Sequence, residues 1–72
     1  YVVEPESPLV GLSLAKANVR RLTGATIMAI ERNKRLHRYP LGETIFESDD
    51  RLLVVGSPEE HTAFEAILNQ TV

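Results

Sequence analysis

The junction between a strand and a helix in the last third of the chain constrains the fold more than any other feature. Residues 51–55 read Arg-Leu-Leu-Val-Val, an apolar run that is typical of a strand. Ser57 then supplies a helix N-cap, Pro58 occupies the first helical position, and Glu60 can complete a capping box. We therefore predict a strand over 51–55, followed by a helix that begins at Pro58, buries one apolar face and frays near Gln70.

A second helix is predicted nearer to the amino terminus. Ser13 is a suitable N-cap, and Gly24 is a suitable stop because glycine readily adopts the left-handed conformation. From residue 12 onwards, apolar residues recur at helical spacing, namely Leu12, Ala15, Val19 and Leu22. This pattern predicts one continuous helix over residues 14–23 with a single apolar stripe.

Three other segments have strand character. Residues 26–30 form a nearly continuous apolar run, which indicates a central strand. Asn33-Lys34 suits a hairpin turn, since asparagine tolerates positive φ, and residues 35–39 return as the partner strand. Residues 1–3 also favour a strand but stop before Pro5, so we expect an edge strand there. After the hairpin, Ile45 and Phe46 are expected to enter the core.

The elements thus follow the order strand, helix, strand, strand, strand, helix. Each helix has one apolar stripe that must be buried, and packing both helices on one face of a sheet buries both stripes. We predict an α+β fold: a single small β-α-β-β-β-α domain over residues 1–72. Its sheet should be mainly antiparallel and four-stranded, with two helices on one face.

A chain of 72 residues has a small core, and it buries only about 60% of its unfolded surface. It has no cysteine, so a disulfide cannot stabilise it. Because it starts at Tyr1 within a predicted strand, we interpret it as a fragment of a larger protein. We expect a homodimer to add stability, with residues 1–3 or residues 27–30 and the adjacent helix at the interface. No apolar run reaches the roughly 20 residues of a membrane span, so we expect no membrane insertion.

Basic charge is concentrated in the middle of the chain. Residues 20–38 hold six arginine and lysine residues and one acid, whereas the whole chain has a net charge of −2. Such a cluster can bind an anion, although mixed charges on a solvated surface need no function. Aromatic residues make up only 6% of the chain and no recognition helix is apparent, so we do not expect a nucleic-acid partner.

Catalytic and metal-binding patterns do not emerge from the sequence. A nucleophile needs a neighbouring base, and neither His37 nor His61 lies in a motif with a hydroxyl and an acid. Asp49 and Asp50 could ligate a divalent ion, but a polar turn before a strand explains them better. We therefore predict no catalytic residues and no metal site. A small enzyme is the alternative, and an activity that depends on either histidine would support it.

Asn18, Arg20 and Arg21 form the most suggestive constellation. They lie near the end of the predicted first helix, just before a strand. An arginine in such a place can hold a phosphate through paired, charge-assisted hydrogen bonds. The alternative is that Arg20 and Arg21 complement the helix dipole and face solvent.

Several segments, taken in order, resemble the TrkA C-terminal domain, which is also the C-terminal lobe of RCK modules (regulators of potassium conductance). The most specific are Ile27-Met28-Ala29-Ile30-Glu31-Arg32, the turn at Tyr39-Pro40, and the run from Asp50 to Gly56. The resemblance covers about residues 7–68, which is nearly the whole chain.

This resemblance implies a cytoplasmic regulatory domain of a potassium channel, a potassium transporter or another monovalent-cation transporter such as a cation/proton antiporter. It implies a homodimer that acts on transmembrane segments of the parent protein and senses a small ligand near the dimer cleft. The resemblance implies no resident cofactor. The ligand that it implies is a small anion such as a cyclic dinucleotide. A purely structural dimerisation module without a ligand is the alternative.

The candidate ligand contacts are Asn18, Arg20 and Arg21 for the anion, with Ile27 and Pro40 as apolar walls. Family members that bind cyclic di-AMP look as if they carry an acid-x-Arg near the end of the first helix and a histidine at the next strand. Here these positions read Asn18-Val19-Arg20 and Ala25-Thr26. Arg20 and Pro40 therefore match the pattern, while the acid and the histidine are replaced.

Overall fold

The computed structural model describes residues 1–69. Its elements, in chain order, are α1 (Leu14–Ala17), α2 (Val19–Thr23), β1 (Thr26–Arg32), β2 (Arg35–Arg38), β3 (Arg51–Val55) and α3 (Pro58–Leu68). The strands form an antiparallel sheet in the order β2-β1-β3, so β1 is central, as its apolar run predicted. The predicted fraying of the last helix near Gln70 lies outside the described residues.

The sheet has three strands within residues 1–69, and the prediction of four is wrong. Residues 1–3 do lie along the edge of β3, where Leu52 N–H donates to the Tyr1 carbonyl oxygen at 2.7 Å. Val3 N–H donates to the Asp50 carbonyl oxygen at 2.8 Å, but only Val2 forms a β-bridge, with Arg51. The pairing stays this short because the chain turns away immediately after Glu4, at Pro5.

The predicted first helix is broken in two. Ser13 caps α1 as expected, since its Oγ accepts a hydrogen bond from Lys16 N–H at 3.1 Å. Asn18 then adopts the left-handed conformation, with φ of 53°, and α2 starts in a new direction. As a consequence, Ala17 and Val19 are both buried, and Leu22, which the continuous stripe placed in the core, is 63% exposed.

The core lies between one face of the sheet and the helices. Burial alternates along β3, where Leu52 and Val54 are buried while Leu53 and Val55 are exposed. The buried side packs with residues of the other elements, namely Val19, Ile30, Phe64 and Leu68. The core therefore lies on the face of the sheet that carries Leu52 and Val54, and the face that carries Leu53 and Val55 is exposed.

Two expectations about individual apolar residues need correction. Phe46 is fully buried, as predicted, but its neighbour Ile45 is 44% exposed because its backbone forms a bridge with Ser13 at the surface. In the segment expected at a dimer interface, Ala29 and Ile30 are already buried within the chain. Any contact made by residues 27–30 with a second copy would therefore involve the partly exposed Ile27 and Met28.

The start of α3 agrees with the sequence in detail. Ser57 N–H donates to Glu60 Oε1 at 2.8 Å and Glu60 N–H donates to Ser57 Oγ at 3.2 Å, which completes the capping box. The Glu60 side chain also packs against Gly24, the left-handed residue (φ of 83°) that ends α2. A methyl group at Gly24 would lie 2.9 Å from Glu60 Cδ, so the two helix ends meet closely.

We expect Gly24→Ala to lower the free energy of unfolding by about 2–3 kcal/mol. A left-handed alanine costs about 1–2 kcal/mol, and displacing Glu60 weakens a cap that contributes about 0.5–2 kcal/mol. Gly11→Ala is the matched control, because Gly11 has a similar φ of 89° but open space around it. Urea denaturation of both variants measures the difference, and equal losses would show that Glu60 moves aside freely.

A bidentate ion pair fixes the long connection between β2 and β3. Arg32 Nε and Nη2 donate to the two carboxylate oxygens of Asp50, both at 2.7 Å, and Nη2 also donates to the Ile45 carbonyl oxygen at 2.9 Å. The Glu47 carboxylate lies 2.9 Å from Nη1. Asp50 is only 1% exposed, and its hydrogen bond raises the pKa of Arg32, although burial opposes this. Asp50 is therefore committed to Arg32 and to the turn rather than to a metal ion.

Candidate functional site

A cleft of about 430 Å³ lies between the first two helices, the start of β1 and the chain that follows β2. It is lined by residues of three separate stretches: Leu14, Ala15, Val19 and Arg20; Ala25, Thr26 and Ile27; and Pro40 and Gly42. The walls are mostly aliphatic, with the Thr26 hydroxyl and the Arg20 guanidinium as the polar side chains.

The outer wall of the cleft is tied to the start of α1 by backbone hydrogen bonds. Ala15 N–H donates to the Gly42 carbonyl oxygen and Leu14 N–H donates to the Thr44 carbonyl oxygen, both at 2.9 Å. These bonds satisfy N–H groups that a helix leaves free in its first turn. A side chain at residue 42 would crowd Ala15, since a Cβ there would lie 3.3 Å from Ala15 Cβ. Glycine therefore lets the wall approach the helix closely.

The structure brings together three of the five candidate ligand residues. Arg20, Ile27 and Pro40 all line the cleft, although they come from a helix, a strand and a loop. Asn18 and Arg21 are not among the lining residues. Asn18 is half-buried at the break between α1 and α2, and Arg21 is exposed to solvent.

Arg20 is the one charged side chain in the lining of the cleft. No ion pair joins it to a carboxylate within the described part of the chain, so its charge is available to a ligand. An apolar floor with a few convergent polar groups is the usual composition of a small-molecule site. The cleft therefore suits a ligand that has an apolar or planar body and an anionic group.

Sequence reasoning missed most of the aliphatic lining. The apolar spacing placed Ala15 and Val19 in the stripe of a continuous helix, and Leu14 and Gly42 were not among the candidate residues. The break at Asn18 is what turns part of this stripe towards the cleft. One signal was present in the sequence, because Pro40 and Gly42 flank a single residue, and this pattern marks a tight loop that can approach a neighbouring backbone.

Residues 1–69 show neither a membrane-spanning helix nor a cluster of metal ligands. None of the helices in residues 1–69 has the length and hydropathy required to cross a membrane. The same residues contain no group of three or more histidine, cysteine or acidic side chains that could hold a metal ion.

The fold and the cleft define a small α+β domain of the kind found in regulators of potassium conductance. A family model of the TrkA-C domain matches residues 1–69, and the chain belongs to this family. The resemblance of its strands and turns to that domain is therefore confirmed.

Known proteins with this domain include channels and transport regulators. The chain is 34% identical over 70 residues to the probable potassium channel protein 2 of Methanocaldococcus jannaschii, covering 97% of the chain and 20% of the channel protein. The RCK_C domain dimer of Streptococcus agalactiae BusR, solved with c-di-AMP, superposes with a TM-score of 0.88 at 29% identity, covering 96% of this chain and 85% of that one. The RCK C domain of the potassium transport protein KtrA, also with c-di-AMP, gives 0.80 at 25% identity, covering 90% and 76%.

A further neighbour corrects the expectation about nucleic acid. BusR has also been solved with its busAB-promotor DNA, and that chain superposes with a TM-score of 0.88 at 29% identity. The match covers 96% of the present chain but only 34% of the DNA-bound one. Excluding nucleic acid is thus too strong for proteins that carry this domain.

Proposed function

We propose that this chain is a cytoplasmic regulatory domain that senses a small anionic ligand for a channel or transporter of potassium or another monovalent cation. The observation that carries the proposal is the cleft, which Arg20 lines together with the apolar residues Ile27 and Pro40. Within residues 1–69, Arg20 forms no ion pair. Membership of the TrkA-C family and the relationship to a potassium channel protein supply the transport context.

The proposed mechanism needs no chemical step. A ligand that binds one arrangement of the paired domains more tightly than another shifts the population towards the first arrangement. The coupling available to such a domain is typically about 1–3 kcal/mol. Transmembrane segments of the parent protein would respond to the shift. We propose a homodimer as the sensing unit, in line with the BusR domain, which forms a dimer.

Cyclic di-AMP is the first ligand to test, because two neighbours have been solved with it. The cleft retains the arginine and the proline of the family pattern, and Ile27 adds an apolar wall. It differs where the acid and the histidine would stand, since these positions are Asn18 and Ala25-Thr26. Asn18 lies outside the lining, whereas Ala25 and Thr26 form part of it, so the second difference bears more directly on recognition.

A non-enzymatic role is part of the proposal. The two histidines lie in different environments. His61 Nδ1 is hydrogen bonded to the Tyr1 hydroxyl at 2.8 Å, whereas His37 lies on the exposed strand β2. Neither residue lines the cleft that holds Arg20. The site therefore offers binding groups and no pair of nucleophile and base.

A ligand panel tests the proposal against the purely structural alternative. We expect cyclic di-AMP or a mononucleotide to raise the melting temperature of the chain, and we expect a divalent cation, as the control, to leave it unchanged. A ligand at 100 times its Kd adds about 2.7 kcal/mol to the stability, and each kcal/mol raises Tm by about 4–8 °C in a domain of this size. Sedimentation measured alongside reports the dimer. A dimer whose Tm is unchanged by every ligand would instead be a structural module.

A further inference from the structure

One edge of the sheet lies open. The strand order is β2-β1-β3, and residues 1–3 pair with the start of β3 at its outer edge. Within residues 1–69, no strand or β-bridge pairs with the outer edge of β2. Every residue from 35 to 39 is exposed, and two of them are large and apolar, Leu36 at 54% and Tyr39 at 70%. An edge strand of this kind is a template on which another strand can pair.

The backbone groups of β2 point alternately towards β1 and away from the sheet, as in any antiparallel pair. Tyr39 N–H donates to the Met28 carbonyl oxygen at 2.7 Å, so the odd-numbered residues of this segment face β1. The alternation directs the N–H and C=O groups of Leu36 and Arg38 outwards. None of these four groups has a hydrogen-bond partner within residues 1–69, so the edge offers two donors and two acceptors at the spacing of a strand.

The open edge is positively charged. Residues 33–42 contain the three cations Lys34, Arg35 and Arg38 and no acid, and none of the three forms an ion pair within residues 1–69. On the adjacent strand β1, Glu31 is paired with Arg51, at 3.8 Å from its Nε. Arg35 and Arg38 are three positions apart, so their side chains lie on opposite faces of the strand. A strand added at this edge would therefore have a cation beside it on each face.

The charge and the backbone together select the kind of partner. If two copies of β2 paired in full antiparallel register, the arginine at 35 of each copy would lie opposite the arginine at 38 of the other, and like charges in that position are destabilising. The phosphates of a nucleic acid can accept hydrogen bonds from arginine and from N–H groups, but they cannot donate to the carbonyl oxygens of Leu36 and Arg38. An acidic peptide in extended conformation satisfies the donors, the acceptors and the charges.

We infer that β2 binds an extended acidic segment of a partner protein, which adds to the sheet as a further strand. The main-chain hydrogen bonds come from Leu36 and Arg38, and acidic side chains of the segment lie beside Arg35 and Arg38 on the two faces. An apolar side chain between the acids packs on the exposed Leu36. The inference goes beyond the sensing of a small ligand and uses none of the residues that line the cleft.

Two peptides of opposite charge test the inference on the full chain. One is Thr-Val-Glu-Thr-Val-Glu-Thr, whose glutamates have the spacing of Arg35 and Arg38, and the other has lysine in place of both glutamates. We expect the acidic peptide to bind at least about tenfold more tightly, because two attractions replace two repulsions of similar size. Fluorescence anisotropy of the labelled peptides measures both affinities at low ionic strength, where exposed charges are least screened. Equal affinities for the two peptides would overturn the inference.

N-methylation of the acidic peptide separates strand pairing from attraction between charges. Methyl groups on alternate amides can be placed in either of two phases, and both methylated peptides keep the charge of the original. In one phase the methylated amides face β2 and lose their hydrogen bonds to it, whereas in the other phase they face solvent. We expect the affinities of the two methylated peptides to differ by at least about tenfold. Equal affinities would show that the peptide does not bind as a strand, contrary to the inference.

A reversal of charge locates the binding on the chain. The double variant Arg35→Glu/Arg38→Glu should bind the lysine peptide more tightly than the acidic one. Lys16→Glu/Arg21→Glu is the matched control, because it changes the net charge equally at exposed residues of α1 and α2, and it should keep the preference of the unmodified chain. A reversal in both variants or in neither would overturn the role of β2. An oligothymidylate that displaces the acidic peptide and binds more tightly would assign the edge to nucleic acid and overturn the inference as well.

Discussion

Arg32→Ala is expected to destabilise the domain by about 3–5 kcal/mol, the usual cost of removing one partner of a buried ion pair. The Asp50 carboxylate is 1% exposed and would lose both of its hydrogen bonds to the guanidinium. A carboxylate left without its partner in the interior is poorly solvated. With about 4–8 °C per kcal/mol for a chain of this size, Tm should fall by at least about 12 °C.

Glu47→Gln is the control for this prediction. Glu47 contacts the same guanidinium, but its side chain is 59% exposed, so its loss should cost less than about 1 kcal/mol. Urea denaturation of both variants gives the two free energies of unfolding. If Arg32→Ala lost no more stability than Glu47→Gln, the buried ion pair with Asp50 would contribute no more to stability than an exposed ion pair, and the prediction would be wrong.

Arg20→Ala is expected to weaken the binding of cyclic di-AMP by about 10- to 100-fold, which corresponds to the loss of one or two charge-assisted hydrogen bonds. Arg20 is the one cation among the described residues that line the cleft. The stability of the ligand-free chain should change little, because Arg20 is exposed and forms no ion pair within residues 1–69. The Kd from titration calorimetry and the Tm of the free chain check the two halves of this prediction.

The neighbouring arginine provides a matched control. Arg21 has the same charge, lies on the same helix α2 and is exposed, but it does not line the cleft. Arg21→Ala should therefore bind cyclic di-AMP within about threefold of the unmodified chain, since a solvated charge at this distance is screened. Similar losses in the two variants would mean that the ligand responds to the general positive charge of α2 and not to the cleft.

Local chemistry made the start of α3 and the hairpin turn between β1 and β2 predictable. Ser57, Pro58 and Glu60 specify the start of α3, and the structure shows both hydrogen bonds of the capping box. Asn33 and Lys34 both have positive φ, as a two-residue hairpin turn requires. In each case the residues that determine the conformation are adjacent in the sequence, so pattern alone was sufficient.

The failures involve competition between distant parts of the chain. The spacing of apolar residues favoured one helix over 14–23, but the helix is broken at Asn18. The break accompanies the burial of both Ala17 and Val19. It also accompanies hydrogen bonds from the first turn of α1 to the carbonyl oxygens of Gly42 and Thr44. The pairing of Arg32 with Asp50 joins residues 18 positions apart, and no local pattern indicates it. The candidate site was found through Arg20, Ile27 and Pro40, whereas its aliphatic lining depends on the break.

The cleft takes its walls from three stretches that are far apart along the chain, residues 14–20, 25–27 and 40–42. The unfolded chain does not form that surface, so a molecule that binds there would bind only the folded domain and would stabilise it. Cells degrade marginally stable proteins in proportion to the fraction that is unfolded. The concentration of such a molecule would then set how long the protein survives as well as how it signals.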